Sequence, residues 1–193
     1  MEINLDDISM VEMNLRKKKK WRKEEMGKTL IAYFSKKGEN YVNGSIVNLL
    51  VGNTEVAAKM AQVVVGEDLF EIKTVKKYPA DYTETTNVAQ VEKNQNARPE
   101  LATHVENMDE YDTIILGYPN WWGTMPMAVF AFLEEYDFTG KTILPYCTHE
   151  GSGLGGSEQD IKRVCSTANV EKGLAIHGSS VKSASGQIKS WLS

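Results

Sequence analysis

The chain has 193 residues, 41% of them hydrophobic and 25% charged, ordinary values for one domain large enough to bury a core. A formal net charge of -4 excludes the overall basic field that holds nucleic acid by counterion release. Apolar runs such as LIAYF fall far short of the roughly 20 residues of a membrane span. Two cysteines, Cys147 and Cys165, make no disulfide framework or zinc spacing, so a reducing, cytoplasmic compartment is expected.

Residues 1–27 differ in character from the rest, with seven Lys/Arg and six Asp/Glu. No apolar stretch follows the run RKKKKWRK at 16–23, so it does not read as a signal peptide. A charged extension is expected, either disordered or upstream of a start at Met26. The folded domain then covers 28–193, where 15 basic and 20 acidic residues remain.

From residue 28 onward, short apolar runs rich in β-branched residues alternate with amphipathic segments, the pattern of a parallel sheet with helices on both faces. Strands are predicted at 29–34 (TLIAYF), 69–75 (LFEIKTV), 113–119 (TIILGYP), 142–147 (TILPYC) and 172–178 (KGLAIHG). The third is wholly apolar and therefore central. Helices are predicted at 54–66, 83–95, 127–136, 157–168 and 183–192, with Pro126 at a first helical position and Ser157 as an N-cap. Five βα units result.

Ligands of such sheets sit beyond the carboxyl ends of the strands, and three of the loops there are informative. Ser35 ends the first strand, and GNT (Gly52, Asn53, Thr54) enters the next helix, so hydroxyls and free amides meet at a positive helix end, as an anion or phosphate requires. Residues 39–51 intervene as an insertion. The second loop, PNWWGTMP, holds Trp121 and Trp122 between Pro119 and Gly123; a surface indole there suits stacking on a flat ring, with one tryptophan inward and one toward the ligand. The third loop, CTHEGSGLGG, matches G-x-G-x-x-G, but it follows the fourth strand and no acidic residue closes the next one, so it is not a dinucleotide fingerprint. Its small residues bring backbone amides close to a ligand, and His149 is a candidate contact beside them.

Together these loops resemble the flavodoxin family over residues 28–193, and PNWWGTMP with CTHEGSGLGG is similar to its P-x-W-W-G branch. The resemblance implies a three-layer α/β fold, a five-stranded parallel sheet in order 2-1-3-4-5, and FMN at the sheet edge. It further implies that Ser35, Lys37, Gly52, Asn53 and Thr54 hold the phosphate and that Pro119, Asn120, Trp121, Trp122 and Gly123 flank the ring. Thr148, His149, Glu150, Gly151, Ser152 and Gly153 would surround its pyrimidine end. A peptide carbonyl beside Gly123 would accept from the ring's N5 proton. The third loop lacks the aromatic that many short flavodoxins stack on the second ring face, so that face is expected to be open.

No catalytic residue or metal is expected. The expected role is low-potential electron carriage between redox proteins; the alternative is an FMN-dependent oxidoreductase passing electrons from NAD(P)H to a quinone or similar acceptor. A phosphorelay receiver shares the strand order but needs an aspartate closing the third strand, where this chain has Tyr118 and Pro119.

Overall fold

The computed structural model describes residues 27–193; the charged extension, but for Gly27, lies outside them. β1 (Thr29–Tyr33) is buried along its whole length. The inserted segment then forms a two-stranded antiparallel hairpin, β2 (Gly38–Val42) and β3 (Ser45–Leu49). Asn43 and Gly44 turn it with φ of 47° and 87°, the two positive values that a type I′ hairpin turn demands. α1 (Asn53–Val65) stops at Gly66, a left-handed cap with φ 75°.

β4 (Asp68–Glu71) pairs in parallel with β1. It is shorter than the predicted 69–75 because residues 73–75 turn away to pair with another segment, Ala102 N–H donating to Lys73 O and Val75 N–H to Glu100 O. α2 (Tyr82–Asn94) begins under Asp81, whose carboxylate accepts from Glu84 N–H at 2.7 Å.

β5 (Thr113–Pro119) pairs with β1 and with β6 (Thr142–His149), so the apolar run is central. α3 (Met127–Glu135) and α4 (Ser157–Val164) pack on one face of the sheet, α1 and α5 (Ser185–Trp191) on the other. The division follows the period of two in the strands: Leu30, Ala32, Ile114 and Leu116 enter one core, Ile31, Tyr33 and Ile115 the other. Each fully buried Leu or Ile among them contributes about 1.5–3 kcal/mol.

Two short strands, β7 (Asn169–Val170) and β8 (Leu174–His177), share the outer edge of β6. The main sheet therefore has six strands, not the expected five. The fifth strand is interrupted opposite Pro145, which has no N–H to offer a neighbour, and a Cβ on Gly173 would come within 3.2 Å of the Pro145 carbonyl there. With β7 and β8 taken as one edge strand, the order β4-β1-β5-β6-edge is the expected 2-1-3-4-5. Two helix caps also differ from expectation by a residue. Pro126 is the cap of α3 and Gly156 that of α4, because Ser157 turns inward, its hydroxyl donating to Leu154 O and accepting from Tyr118 O–H. Among the described residues no helix is long and apolar enough to cross a membrane.

Gly117 lies in β5 where an added Cβ would sit 2.1 Å from the Tyr146 ring. Gly117→Ala is expected to destabilise the fold by about 1–3 kcal/mol, read as a lower urea midpoint; an unchanged midpoint would contradict this packing.

Candidate functional site

The chain runs from β1 outward to β4, then crosses back past β1 to β5. That reversal puts a crevice at the carboxyl ends of β1 and β5. The hydroxyl of Ser35 accepts from Glu55 N–H at 3.1 Å, performing from the strand end the task of an N-cap side chain while Gly52 holds the cap position. Gly52 is needed there because a Cβ would lie 2.3 Å from Ser35 Oγ. The first intrahelical bond is Val56 N–H to Gly52 O, so the amides of Asn53 and Thr54 have no intrahelical acceptor. Behind them the hydroxyls of Thr54 and Thr148 meet at 2.7 Å, and Tyr146 O–H donates to Thr54 O at 3.1 Å, all in buried positions.

In the second loop Trp121 and Thr124 exchange backbone hydrogen bonds, and the two residues between them, Trp122 and Gly123, have φ of 55° and 83°. This is a type I′ turn. Trp121 packs inward, edge-on to Phe34 and Tyr78 at centroid distances of 5.4 and 5.0 Å. Trp122 occupies left-handed backbone, at a cost of roughly 1–2 kcal/mol for a bulky residue, and is 45% exposed. Its indole N–H donates to Thr86 O on α2, and its own carbonyl accepts from Lys93 Nζ.

The second and third loops are welded together. Gly156 N–H donates to Gly123 O at 2.8 Å, Asn120 Nδ2 to Gly153 O at 3.0 Å, and Gly123 N–H to Asn120 Oδ1 at 3.0 Å. A Cβ on Gly155, whose φ is 57°, would lie 2.2 Å from Gly123 O. The carbonyls of Trp122 and Gly123, the ones flanking the proposed N5 contact, therefore both already have donors. The hairpin reaches the third loop as well: Asn43 N–H donates to Glu150 Oε2 at 3.1 Å. The other carboxylate oxygen, Oε1, is buried with no hydrogen-bond partner.

These segments surround a cavity of about 650 Å³, within the range of small-molecule sites. Of the candidates read from the sequence, Asn53, Thr54, Pro119, Asn120, Trp121, Trp122, Gly123, Thr148, His149, Glu150 and Ser152 line it. Ser35, Gly52, Gly151 and Gly153 are not among the lining residues. Lys37 is exposed and outside it, whereas its neighbour Lys36 lines the cavity, with Nζ donating to Glu39 O at 3.1 Å and Ala80 O at 3.4 Å. Besides Lys36 and Gly178, two groups of lining residues are not among the sequence candidates. One is Glu39, Asn40 and Tyr41 of β2; the other is Tyr82, Thr85, Thr86 and Ala89 of α2. The second carries a legible signal, the i, i+3, i+4, i+7 spacing of one helix face.

The flavodoxin family profile matches residues 28–193. The chain belongs to the flavodoxin family. Among solved structures, a candidate flavoprotein of Bacteroides uniformis is 31% identical, with 86% of this chain and 97% of that one covered and a TM-score of 0.68. One from Bacteroides eggerthii is 28% identical over 83% and 97% of the two chains, TM-score 0.65. A flavoprotein of Lactobacillus acidophilus in complex with FMN is 21% identical over 81% and 97%, TM-score 0.59, a likeness of fold. No curated protein matches the chain.

In this flavodoxin-family cavity the charges are few and opposed. Burial lowers the Lys36 pKa, against the pull of Glu39 and Asp81. Burial also lowers that of His149; the neighbouring His177 lowers it further, and Glu150 opposes both. The two imidazoles meet edge-on with centroids 5.4 Å apart, and Gly151 N–H donates to His149 Nδ1, which suits a neutral ring. Because the folded state holds the His149 proton less tightly than the unfolded chain, this residue's contribution to stability falls as pH drops through and below about 6.5. His177→Gln removes the second cause, so the His149 pKa is expected to rise part of the way to its ordinary value in an NMR titration of the imidazole C–H signals; no rise would contradict the coupling.

Proposed function

We propose that the protein binds FMN and acts as a redox protein of the flavodoxin type, carrying electrons between partner proteins. One observation carries the reading: the loops after β1, β5 and β6 meet around a single cavity with free helix amides at one end and an exposed indole at the other. Asn53 and Thr54 would hold the phosphate by backbone N–H groups at the positive end of α1, as helix N-termini do for anions, with Ser35 keeping that turn in shape. Trp122 would lie against the ring, and residues 148–153 would surround its pyrimidine end. Glu150 Oε1, buried and unpaired, fits a ligand hydroxyl or imide N–H, either of which would satisfy it. The likeness to the Bacteroides flavoprotein candidates supports a flavin cofactor.

Bound FMN supplies the electron chemistry. The chain's own part is to grip, orient and shield it. Trp121 anchors the turn in the core, which holds Trp122 at a fixed height over the crevice, and the bonds from Gly156 and Asn120 keep the second and third loops from parting. Carriage is the preferred role because β2, with Tyr41, already walls the cavity. An FMN-dependent oxidoreductase acting from NAD(P)H to a quinone is the second reading, favoured by the stretch of cavity along α2 that lies beyond the three loops.

The purified protein is expected to take up FMN and, in a reductive titration under argon, to show two resolved one-electron steps. Failure to take up micromolar FMN contradicts the cofactor; a single two-electron step with rapid NAD(P)H–quinone turnover favours the oxidoreductase. Trp122→Ala is expected to weaken FMN binding about tenfold, the scale of one aromatic stack, with little change in melting temperature. Trp121→Ala should instead lower stability by about 3 kcal/mol; the reverse pattern would exchange their roles.

A further inference from the structure

The third loop supplies no aromatic for the second face of a flat ligand, yet the cavity wall contains two tyrosines from outside the second and third loops, Tyr41 of β2 and Tyr82 of α2. Tyr41 of β2 lines it with 43% of its surface exposed. Its ring leans on Tyr82 of α2 at a centroid distance of 6.3 Å and an interplanar angle of 31°. The strand beneath is fixed. Tyr82 N–H donates to Glu39 Oε2 at 2.9 Å, Asn40 Nδ2 donates to Lys36 O and Gly38 O at 3.1 Å each, and the hairpin tip is tied to the third loop through Asn43 and Glu150. The insertion therefore runs from the first loop across to the third, with a tyrosine facing the space between.

Two exposed aromatics that line the cavity rest against α2. Trp122 is bonded to Thr86 and Tyr41 leans on Tyr82, positions one helical turn apart, about 6 Å along the axis at 1.5 Å per residue. We infer that Tyr41 covers the second face of the flavin ring opposite Trp122, so that the inserted hairpin is part of the cofactor site and supplies the aromatic that the third loop lacks. The inference rests on the FMN reading. It replaces the expectation of an open ring face with one closed from a different loop.

The test is titration of FMN and of riboflavin into wild-type, Tyr41→Ala, Tyr41→Leu and Tyr41→Phe proteins, with circular dichroism confirming that each is folded. Ala and Leu are expected to raise the Kd of both flavins by a similar factor of about ten, because the contact is with the ring and not the phosphate; Phe should stay within about twofold of wild type. Equal affinities in wild type and the Ala variant would overturn the inference. So would a loss for FMN alone, which would put Tyr41 at the phosphate end. A wild-type protein that binds neither flavin contradicts the cofactor reading itself, a result distinct from these.

Discussion

The contact between the buried hydroxyls of Thr54 and Thr148, 2.7 Å apart, ties the start of α1 to the end of β6. Two buried hydroxyls can face each other only if each finds a partner, since leaving one unmet costs about 1–3 kcal/mol. That requirement fixes the height of the α1 N-terminus against the sheet. Tyr146 reinforces it from below by donating to Thr54 O, and its ring fills the space that Gly117 leaves open in β5. The strand pairing, the small residue in β5 and the buried tyrosine thus all serve one placement, with helix amides level with the loops that follow β5 and β6.

From there rigidity spreads by backbone bonds. The type I′ turn at Trp122 and Gly123 places a bulky residue where asparagine or glycine is favoured, and that strain persists because Trp121 on one side and the Gly156 bond on the other leave the turn little choice. A strained residue at the rim of a cavity, half exposed, is the arrangement expected of a ligand contact. The hairpin adds the remaining wall, and its anchoring through Glu39 and Asn40 keeps the Tyr41 ring beside α2.

Much of this was legible before any coordinates. The β-branched runs located the strands because parallel strands are buried on both faces, and Gly and Pro punctuation located the second and third loops. That one tryptophan packs inward while its neighbour is exposed follows from adjacent residues having to point apart. What was hidden has physical causes. The split of the edge strand depends on which side of β6 the missing amide of Pro145 faces, and sequence does not give that. The early end of β4 reflects pairing with residues 100–102, far along the chain. Ser157 read as a cap, but Tyr118 recruits it into the core, a tertiary demand overriding a local preference. The resemblance points to Lys37, yet Lys36 lines the cavity and Lys37 is exposed, and spacing alone cannot say which of two adjacent loop residues turns inward. The hairpin carried its own sign, Asn43-Gly44 between β-prone segments, and was passed over as an insertion.

The central claim is that three loops, separated by long stretches of chain, act as one flavin site. Amide NMR spectra of isotopically labelled protein recorded while FMN is added test it directly. The account predicts that the signals of Thr54, Gly123 and Ser152 shift together and saturate at one equivalent. Shifts confined to a single loop, or none at all, would contradict it.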